Sequence, residues 1–257
     1  VENNDENIML IGDGALQATT SSGTGGIRQA METWGQYDIA PKAVCEFMVD
    51  NMDPRLEIMF DPGLDGEYNG LDPLLDATKQ TQLLSDGLVA RYDTATFTRN
   101  NHFPGWIIGA AEVSFIKAEA ALAAGDAGTA KQMYEQGIYQ SIDHYFNINA
   151  TGDYREPLPK PTGEQLLAYL SSAGVNWDSN NDKLGLIATQ KWLDFGLATM
   201  TQTWSSMRRM NAPVFEFMPD NASASGQILP PDRFTYPASE SALNLENYSV
   251  VAGEDKL

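Results

Sequence analysis

The sequence predicts a mostly α-helical protein in which paired helices are flanked by long irregular segments. Residues 108–124 form an alanine-rich stretch that ends at Gly125, and glycine is typical of helix C-termini. Apolar residues then recur at three- and four-residue spacing from Met133 to Tyr145, which gives a second helix one apolar face. By contrast, residues 61–76 are dense in glycine, proline, aspartate and asparagine, so they are expected to form a long loop.

Local signals predict the remaining elements. Capping boxes, in which a threonine and a glutamine three residues later satisfy each other's backbone amides, are indicated at 129–132 and 162–165. Residues 106–210 should therefore form a helical scaffold inside a single domain, 1–257, which we expect to be incomplete at its N-terminus. Further elements are indicated before the scaffold, with a helix at 41–52 and weak strands at 88–92 and 95–98, and within it, with helices at 182–199 and 203–210.

Charge and composition exclude several classes of protein. The chain has 257 residues and a net charge of −19, and such a surface repels nucleic acid and anionic lipid. Its single cysteine, Cys45, rules out an intrachain disulfide and lies in the apolar segment AVCEFMV, where a buried thiol is expected. No apolar run reaches eighteen residues, so no transmembrane helix is predicted.

Two glutamates interrupt the apolar stretch EVSFIKAEAALAAGD. On a helix, Glu112 and Glu119 fall about 20° apart on one face and about 10.5 Å apart along the axis. Ile116 shares this apolar face, which is expected to be buried, and Ser114 lies on the other side. That axial separation is a poor start for a glycosidase pair, whose carboxyl groups lie about 5–9.5 Å apart. A structural role is favoured instead, with Arg208 and Arg209 as the expected partners of the carboxylates.

The spacing of the two central helices indicates a repeat architecture. A helix of about 17 residues, a tight Gly-Asp turn and a second helix of similar length form the unit of a tetratricopeptide-type array. One such unit cannot bury its apolar face alone, so neighbouring helix pairs are expected. Residues 162–210 could supply the next pair.

Five segments in the same order resemble conserved elements of the SusD/RagB-like proteins, which are surface nutrient-binding lipoproteins of Bacteroidetes. Each segment alone is a weak signal, and the ordered set across residues 50–248 is specific. The segments are WIIGAAEVSFIKAEAALAAGDAGTAKQMYEQGIYQSI, NMDPRL at 51–56, EYNGL at 67–71, IATQKWL at 187–193 together with TWSSMRR at 203–209, and PDRFTYP at 231–237.

The resemblance implies a fold and a function. The fold would be mostly α, with tetratricopeptide-like helix pairs as scaffold and irregular loops that carry the ligand site. The protein would be anchored at the outer membrane, on the cell surface, by a lipidated cysteine that this chain does not contain. It would bind oligosaccharide or peptide nutrients and deliver them to a SusC-like, TonB-dependent transporter. Neither catalysis nor a cofactor is expected.

Two aromatic loops are the candidate ligand-binding segments. Neutral sugars are held by flat aromatic faces and planar hydrogen-bonding groups, and binding residues are concentrated on loops. Trp34 and Tyr37 lie in METWGQYD, and Asp65, Tyr68 and Asn69 lie in DGEYNG. The alternative for the aromatic residues is structural, because Trp34 could fill the core and Tyr68 could pack on a helix end.

The sequence leaves two alternative functions open. The same helical repeats could support a glycan hydrolase or a scaffold for protein–protein contacts.

Residues 61–72 match a calcium-loop template at some positions only, since position 3 is Gly63 and position 12 is Asp72. A solvated turn without metal is therefore favoured there.

Overall fold

The computed structural model describes residues 1–11, 26–34, 38–218 and 236–252. The chain divides into two compact units, residues 1–214 and residues 215–257. Within the described ranges, none of the helices combines the length and the apolar character that a membrane crossing requires. The described part of the second unit contains the short helices α10 (Ala238–Leu243) and α11 (Leu245–Val251).

Helices dominate the first unit, which confirms the predicted fold class. Short single helical turns also occur at Asn4–Glu6, Gln29–Trp34 and Thr94–Thr98, and the last two are π-helical. The helices are α1 (Gly26–Arg28), α2 (Lys42–Asn51), α3 (Leu56–Met59), α4 (Ala77–Ser85), α5 (Ala110–Ala123), α6 (Ala127–Thr151), α7 (Gly163–Ser171), α8 (Lys183–Phe195) and α9 (Met200–Met210).

Two small antiparallel sheets complete the first unit. Strand β1 (Ile8–Leu10) pairs with β4 (Gly105–Ile108), and Met9 lies opposite Trp106. Strand β2 (Phe60–Asp61) pairs with β3 (Arg91–Tyr92). The second sheet places Asp61 directly opposite Arg91, so that two charged residues from distant segments meet at one edge.

Helices α5 and α6 form the predicted helical hairpin. Gly125, with φ of +80°, ends the first helix in a left-handed conformation that favours glycine. The helices approach closely at Gly137, where an added Cβ atom would lie 2.5 Å from Cε1 of Phe115. The Asp126 side chain accepts a hydrogen bond from the Thr129 amide (3.0 Å) and so caps α6. The cap predicted at 129–132 was therefore wrong, because the capping residue is Asp126, three residues before Thr129.

Other boundaries differ from the sequence prediction for identifiable reasons. The capping box at 162–165 is present as predicted, with Thr162 and Gln165 satisfying each other's backbone amides. The strand expected at 95–98 is a π-helical turn instead, because the Asp93 carboxylate accepts the Thr96 amide at 2.6 Å and starts a helical turn. Helix α4, whose N-terminus Asp76 caps, was missed because its residues are mostly polar.

The structure confirms one predicted partner of the helical glutamates and corrects another. The Glu119 carboxylate pairs with Nη2 of Arg209 (2.7 Å), as predicted, and also with Nζ of Lys191 on α8 (2.8 Å). Arg208 is exposed and forms no ion pair with either glutamate. For Glu112, burial raises the pKa and the nearby charge of Lys191 opposes that rise. Both carboxylates therefore face α8, and Glu119 joins α5 to α8 and α9.

The buried face of α5 is rotated from the one expected. Ser114 is buried and Ile116 is 48% exposed, although the apolar pattern predicted the reverse. The reason is that α5 packs against α6 on one side and against α8 on another. Ser114 is satisfied in the core because its hydroxyl donates to Oε1 of Gln140 at 2.6 Å.

A fully buried arginine connects the helices of the first unit. Arg55 has no exposed surface, and its guanidinium forms a two-point ion pair with Asp53, at 2.6 and 3.0 Å. The guanidinium also donates to side chains of α6, α7 and α8, and the hydrogen bonds are Nη1 to the Ser141 hydroxyl (2.8 Å), Nη2 to the Tyr169 hydroxyl (2.8 Å) and Nη2 to Oε1 of Gln190 (3.1 Å). The charge is thus paired and hydrogen-bonded as a buried charge requires.

Two further titratable groups are buried in the first unit, and burial shifts their pKa values in opposite directions. Burial raises the pKa of Asp194 to about 7, although Ser141 and Arg55 offset part of that rise. Burial lowers the pKa of His144 to about 4, and the ring lies edge-on to Trp106, with 4.2 Å between ring centroids. His144 therefore lies inside a long helix and in the core.

Replacement of Arg55 should destabilise the protein strongly. The variant Arg55→Met leaves the Asp53 carboxylate buried without its countercharge, so the free energy of unfolding should fall by about 3–5 kcal/mol. Chemical denaturation monitored by circular dichroism measures the change. Arg208→Met, at an exposed arginine, is the matched control and should stay within about 0.5 kcal/mol of wild type. Equal stability of the two variants would contradict the structural role assigned to Arg55.

The buried Asp194 and His144 should give pH dependences of opposite sign. Between pH 3.8 and about 7 the native Asp194 keeps a proton that the unfolded chain releases, so its contribution to stability falls as pH rises. Between pH 6.5 and about 4 the unfolded chain binds a proton at His144 that the native state excludes, so stability falls as pH falls.

Variants separate these two contributions. Asp194→Asn should gain stability relative to wild type as pH rises from 4 to 7, and His144→Gln should gain relative to wild type as pH falls over the same range. Each difference should change by an amount on the order of 2 kcal/mol. Urea denaturation at intervals of one pH unit measures both differences, and parallel curves for the variants and wild type would disprove the assignment.

Candidate functional site

A polar cleft of about 430 Å³ opens beside the second sheet. Its walls come from the π-helical turn at Gln29–Trp34, from the chain just before α2, from strand β2, and from strand β3 with the turn at Thr94–Thr98 that follows it. The lining residues are Glu32, Asp38, Asp61, Pro62, Arg91, Thr94, Thr98 and Arg99. The cleft is therefore rich in planar charged groups and hydroxyls.

One wall of the cleft is organised around Glu32. Its carboxylate receives Nε of Arg99 at 3.0 Å and the Thr98 hydroxyl at 2.7 Å, and Nε of Arg28 lies 3.4 Å away. Burial alone would raise the pKa of Glu32, but the hydrogen bonds from Arg99 and Thr98 outweigh burial and lower it. Glu32 is thus ionised at neutral pH and holds the Arg99 guanidinium in a fixed plane.

The opposite wall is organised around two aspartates. Nη1 of Arg91 lies 2.6 Å from Oδ1 of Asp38. Oδ2 of Asp61 accepts hydrogen bonds from both the amide and the hydroxyl of Thr94, each at 2.8 Å. Because β2 and β3 are paired, these contacts have a rigid support.

The loop that follows α6 reaches both walls through two adjacent residues. We call residues 152–162 the post-α6 loop. The Tyr154 hydroxyl accepts a hydrogen bond from Nη1 of Arg99 at 3.0 Å, and the Arg99 guanidinium lies 5.0 Å from the centre of the Tyr154 ring. Arg155 pairs with Asp61 (3.1 Å) and with the buried carboxylate of Asp93. The post-α6 loop therefore forms part of the rim of the cleft.

Charges around the cleft are balanced, in contrast to the chain as a whole. Four of the eight arginines in the sequence meet four carboxylates here, while the whole protein carries −19. The pairs join Arg28 and Arg99 to Glu32, Arg91 to Asp38, and Arg155 to Asp61 and Asp93. Such a surface offers both donors and acceptors to an uncharged polar ligand. Among the described residues, no cluster of histidine, cysteine, aspartate and glutamate is arranged to hold a metal ion.

Of the five binding residues predicted from the sequence, the structure describes the side chains of Asp65, Tyr68 and Asn69. Trp34 ends a helical turn, but its side chain lies outside the described residues, as does the whole of Tyr37. Tyr68 is half-buried against the core, and its pKa is raised by burial and by the charges of Glu57 and Asp61, so it lies toward the Asp61 wall. Asp65 and Asn69 are exposed and do not line the cleft; Oδ1 of Asp65 accepts the Glu67 amide at 3.1 Å.

Sequence reasoning did not find most of the residues that form the cleft. Glu32 and Asp38 do lie in METWGQYD, the first of the two candidate loops, so the segment was located although the residues were not. Arg91, Arg99 and Arg155 had no detectable signal, because their partners are 53, 67 and 94 residues away in the chain. Only the folded structure brings them together.

Comparison with known proteins agrees with the architecture. Residues 1–237 match the SusD-like family described as "Starch-binding associating with outer membrane". No curated protein shows significant similarity to the sequence. Among solved structures, a SusD homologue from Bacteroides fragilis matches with a TM-score of 0.76 and 19% identity, covering 100% of this chain and 58% of its own.

Two other solved structures give similar values. A chitin-binding protein matches with a TM-score of 0.68 and 18% identity, covering 98% of this chain and 53% of its own. An outer-membrane protein from Bacteroides vulgatus, whose description links it to nutrient binding, matches with a TM-score of 0.67 and 19% identity, covering 100% of this chain and 57% of its own. The chain thus spans little more than half the length of these proteins. Because the family match extends over most of the sequence, the chain belongs to the SusD-like family.

Proposed function

We propose that the protein binds an oligosaccharide at the cell surface without catalysis and delivers it to a SusC-like, TonB-dependent transporter in the outer membrane. The observation that carries the binding proposal is the charge-balanced cleft beside the second sheet, with its alternating carboxylate, guanidinium and hydroxyl groups. The family description, which names starch binding and the outer membrane, supports the same class of ligand and location. The description of one structural neighbour as chitin-binding adds a second glycan of the same general chemistry.

The ligand contacts in this proposal combine the cleft with the aromatic loops. Arg91, Asp38 and Glu32 present hydrogen-bonding groups within the cleft. Trp34, Tyr37, Asp65, Tyr68 and Asn69 remain proposed contacts from the two loops that precede and follow α2. Delivery to a transporter and lipid anchoring follow from the family alone and are part of the proposal.

A catalytic alternative is less well supported by the geometry. Glu119, one of the two glutamates that a hydrolase on these helices would use, is already engaged by Lys191 and Arg209. A carboxylate held by two cations is poorly suited to exchange protons with a substrate. Glu119→Gln should therefore lower stability and leave ligand binding unchanged.

Isothermal titration calorimetry tests the binding proposal with maltohexaose and chitohexaose as probes. Wild type should bind at least one of the two, and a reducing-end assay on the same samples should detect no cleavage. Arg91→Ala should lower the affinity by about tenfold or more, because a hydrogen bond from a charged group contributes about 1.5–3 kcal/mol. Lys131→Ala removes a comparable ion pair, to Asp178, that does not line the cleft, and should bind like wild type.

The same titrations distinguish the cleft from the DGEYNG loop. Loss of affinity in Asp65→Ala or Asn69→Ala, with Arg91→Ala unchanged, would move the site to that loop. Absence of binding by wild type, together with capture of a protein partner, would favour the protein-interaction scaffold. Cleavage that disappears in Glu119→Gln, with the fold retained, would establish a hydrolase and overturn the non-catalytic proposal.

A further inference from the structure

Tyr154 is an exposed aromatic residue in an unusually fixed position. Its side chain is 49% exposed at the rim of the cleft. The Arg99 guanidinium lies 5.0 Å from the ring centre and donates to the hydroxyl, so that one side of the ring is engaged by the protein. The rest of the ring is open to solvent and lies next to the groups that line the cleft.

Contacts of Arg99 and of the adjacent residue Arg155 restrain Tyr154. Arg99 is itself held by the Glu32 carboxylate, through Nε at 3.0 Å and Nη2 at 3.3 Å. The next residue in the chain, Arg155, is tied to Asp61 and Asp93 on the other wall. An exposed side chain that is fixed before a ligand arrives loses little conformational entropy on binding. Tyrosine also has few rotatable bonds for its contact area.

The arrangement matches the chemistry of a pyranose ring. One face of a sugar ring presents C–H groups that pack on a flat aromatic surface, and its edge presents hydroxyls that pair with planar charged groups. Resting on the proposed glycan-binding function, we propose that Tyr154 is a stacking platform for one neutral pyranose unit of the bound oligosaccharide, whose hydroxyls hydrogen-bond to Glu32 and Arg99.

The balance of charge selects a neutral sugar over an anionic one. Every arginine around the cleft already faces a carboxylate, through the ion pairs described above. A uronate or sulfated unit would have to displace one of those carboxylates or be buried beside it, and like charges in proximity are unfavourable. A neutral unit needs no such displacement.

Substitutions at Tyr154 separate stacking from a merely structural role. With maltohexaose and chitohexaose as probes in calorimetry, Tyr154→Phe keeps the ring and should bind within about threefold of wild type. Tyr154→Leu keeps apolar volume but removes the flat face, so its affinity should fall by about tenfold or more. Tyr139→Ala, at a tyrosine on α6 that is 40% exposed, is the matched control and should leave affinity unchanged.

A measurement on the wild-type protein covers the case in which a variant does not fold. Tetranitromethane nitrates accessible tyrosines, and peptide mass spectrometry reports the extent at each one. Saturating oligosaccharide should protect Tyr154 from nitration and leave Tyr139 unprotected. Equal nitration of Tyr154 with and without a probe that binds would overturn the proposal that Tyr154 is a stacking platform.

The outcomes for the platform and for the proposed function are distinguishable. If wild type binds a probe and Tyr154→Leu binds it equally well, the platform is wrong and glycan binding stands. If wild type binds neither neutral probe, both proposals fall. Binding of hexagalacturonate as tightly as the neutral hexamers would overturn the selection for neutral sugars.

Discussion

The ion pair between Arg55 and Asp53, buried at the junction of three helices, is the interaction on which the rest of the first unit depends. Its guanidinium supplies hydrogen bonds to α6, α7 and α8 at once, so the relative position of these helices is fixed by one side chain. A buried charge is unfavourable unless every donor is satisfied. Here the segment at 53–55, the helical hairpin and the following helices can pack only in the arrangement that satisfies it.

This network shows that three of the segments that identify the family contribute to folding. Arg55 lies in NMDPRL and Gln190 in IATQKWL, and the two side chains meet in the core. Lys191, the next residue of the second segment, pairs with Glu119 in the alanine-rich helix. The shared sequence pattern therefore specifies the scaffold, whereas the cleft is lined mostly by residues outside those segments. Membership of the family fixes the architecture.

The difference between scaffold and cleft also determines how much of the structure could be predicted from the sequence. Helix α5 was predictable from its alanine-rich sequence and the glycine at its end, α6 was predictable from its repeating apolar pattern, and the Thr162 capping box was visible in four residues. The rotation of α5 was not, because it depends on which two helices pack against it. The cleft was not predictable either, since its ion pairs, apart from Arg28 with Glu32, join residues that lie far apart in the chain, such as Asp61 and Arg155. Local patterns specify elements, and only tertiary packing specifies which charges meet.

The even balance of charge around the cleft has a consequence for binding in different media. The protein as a whole carries a strong negative potential, whose reach into solvent shrinks as dissolved salt rises, to about 8 Å at physiological ionic strength. An uncharged sugar does not respond to that potential, and the paired groups it meets have no excess charge to be screened. Under the proposed function, capture of a neutral nutrient should thus have the same strength in dilute and in saline surroundings, while anionic solutes are held off at a distance.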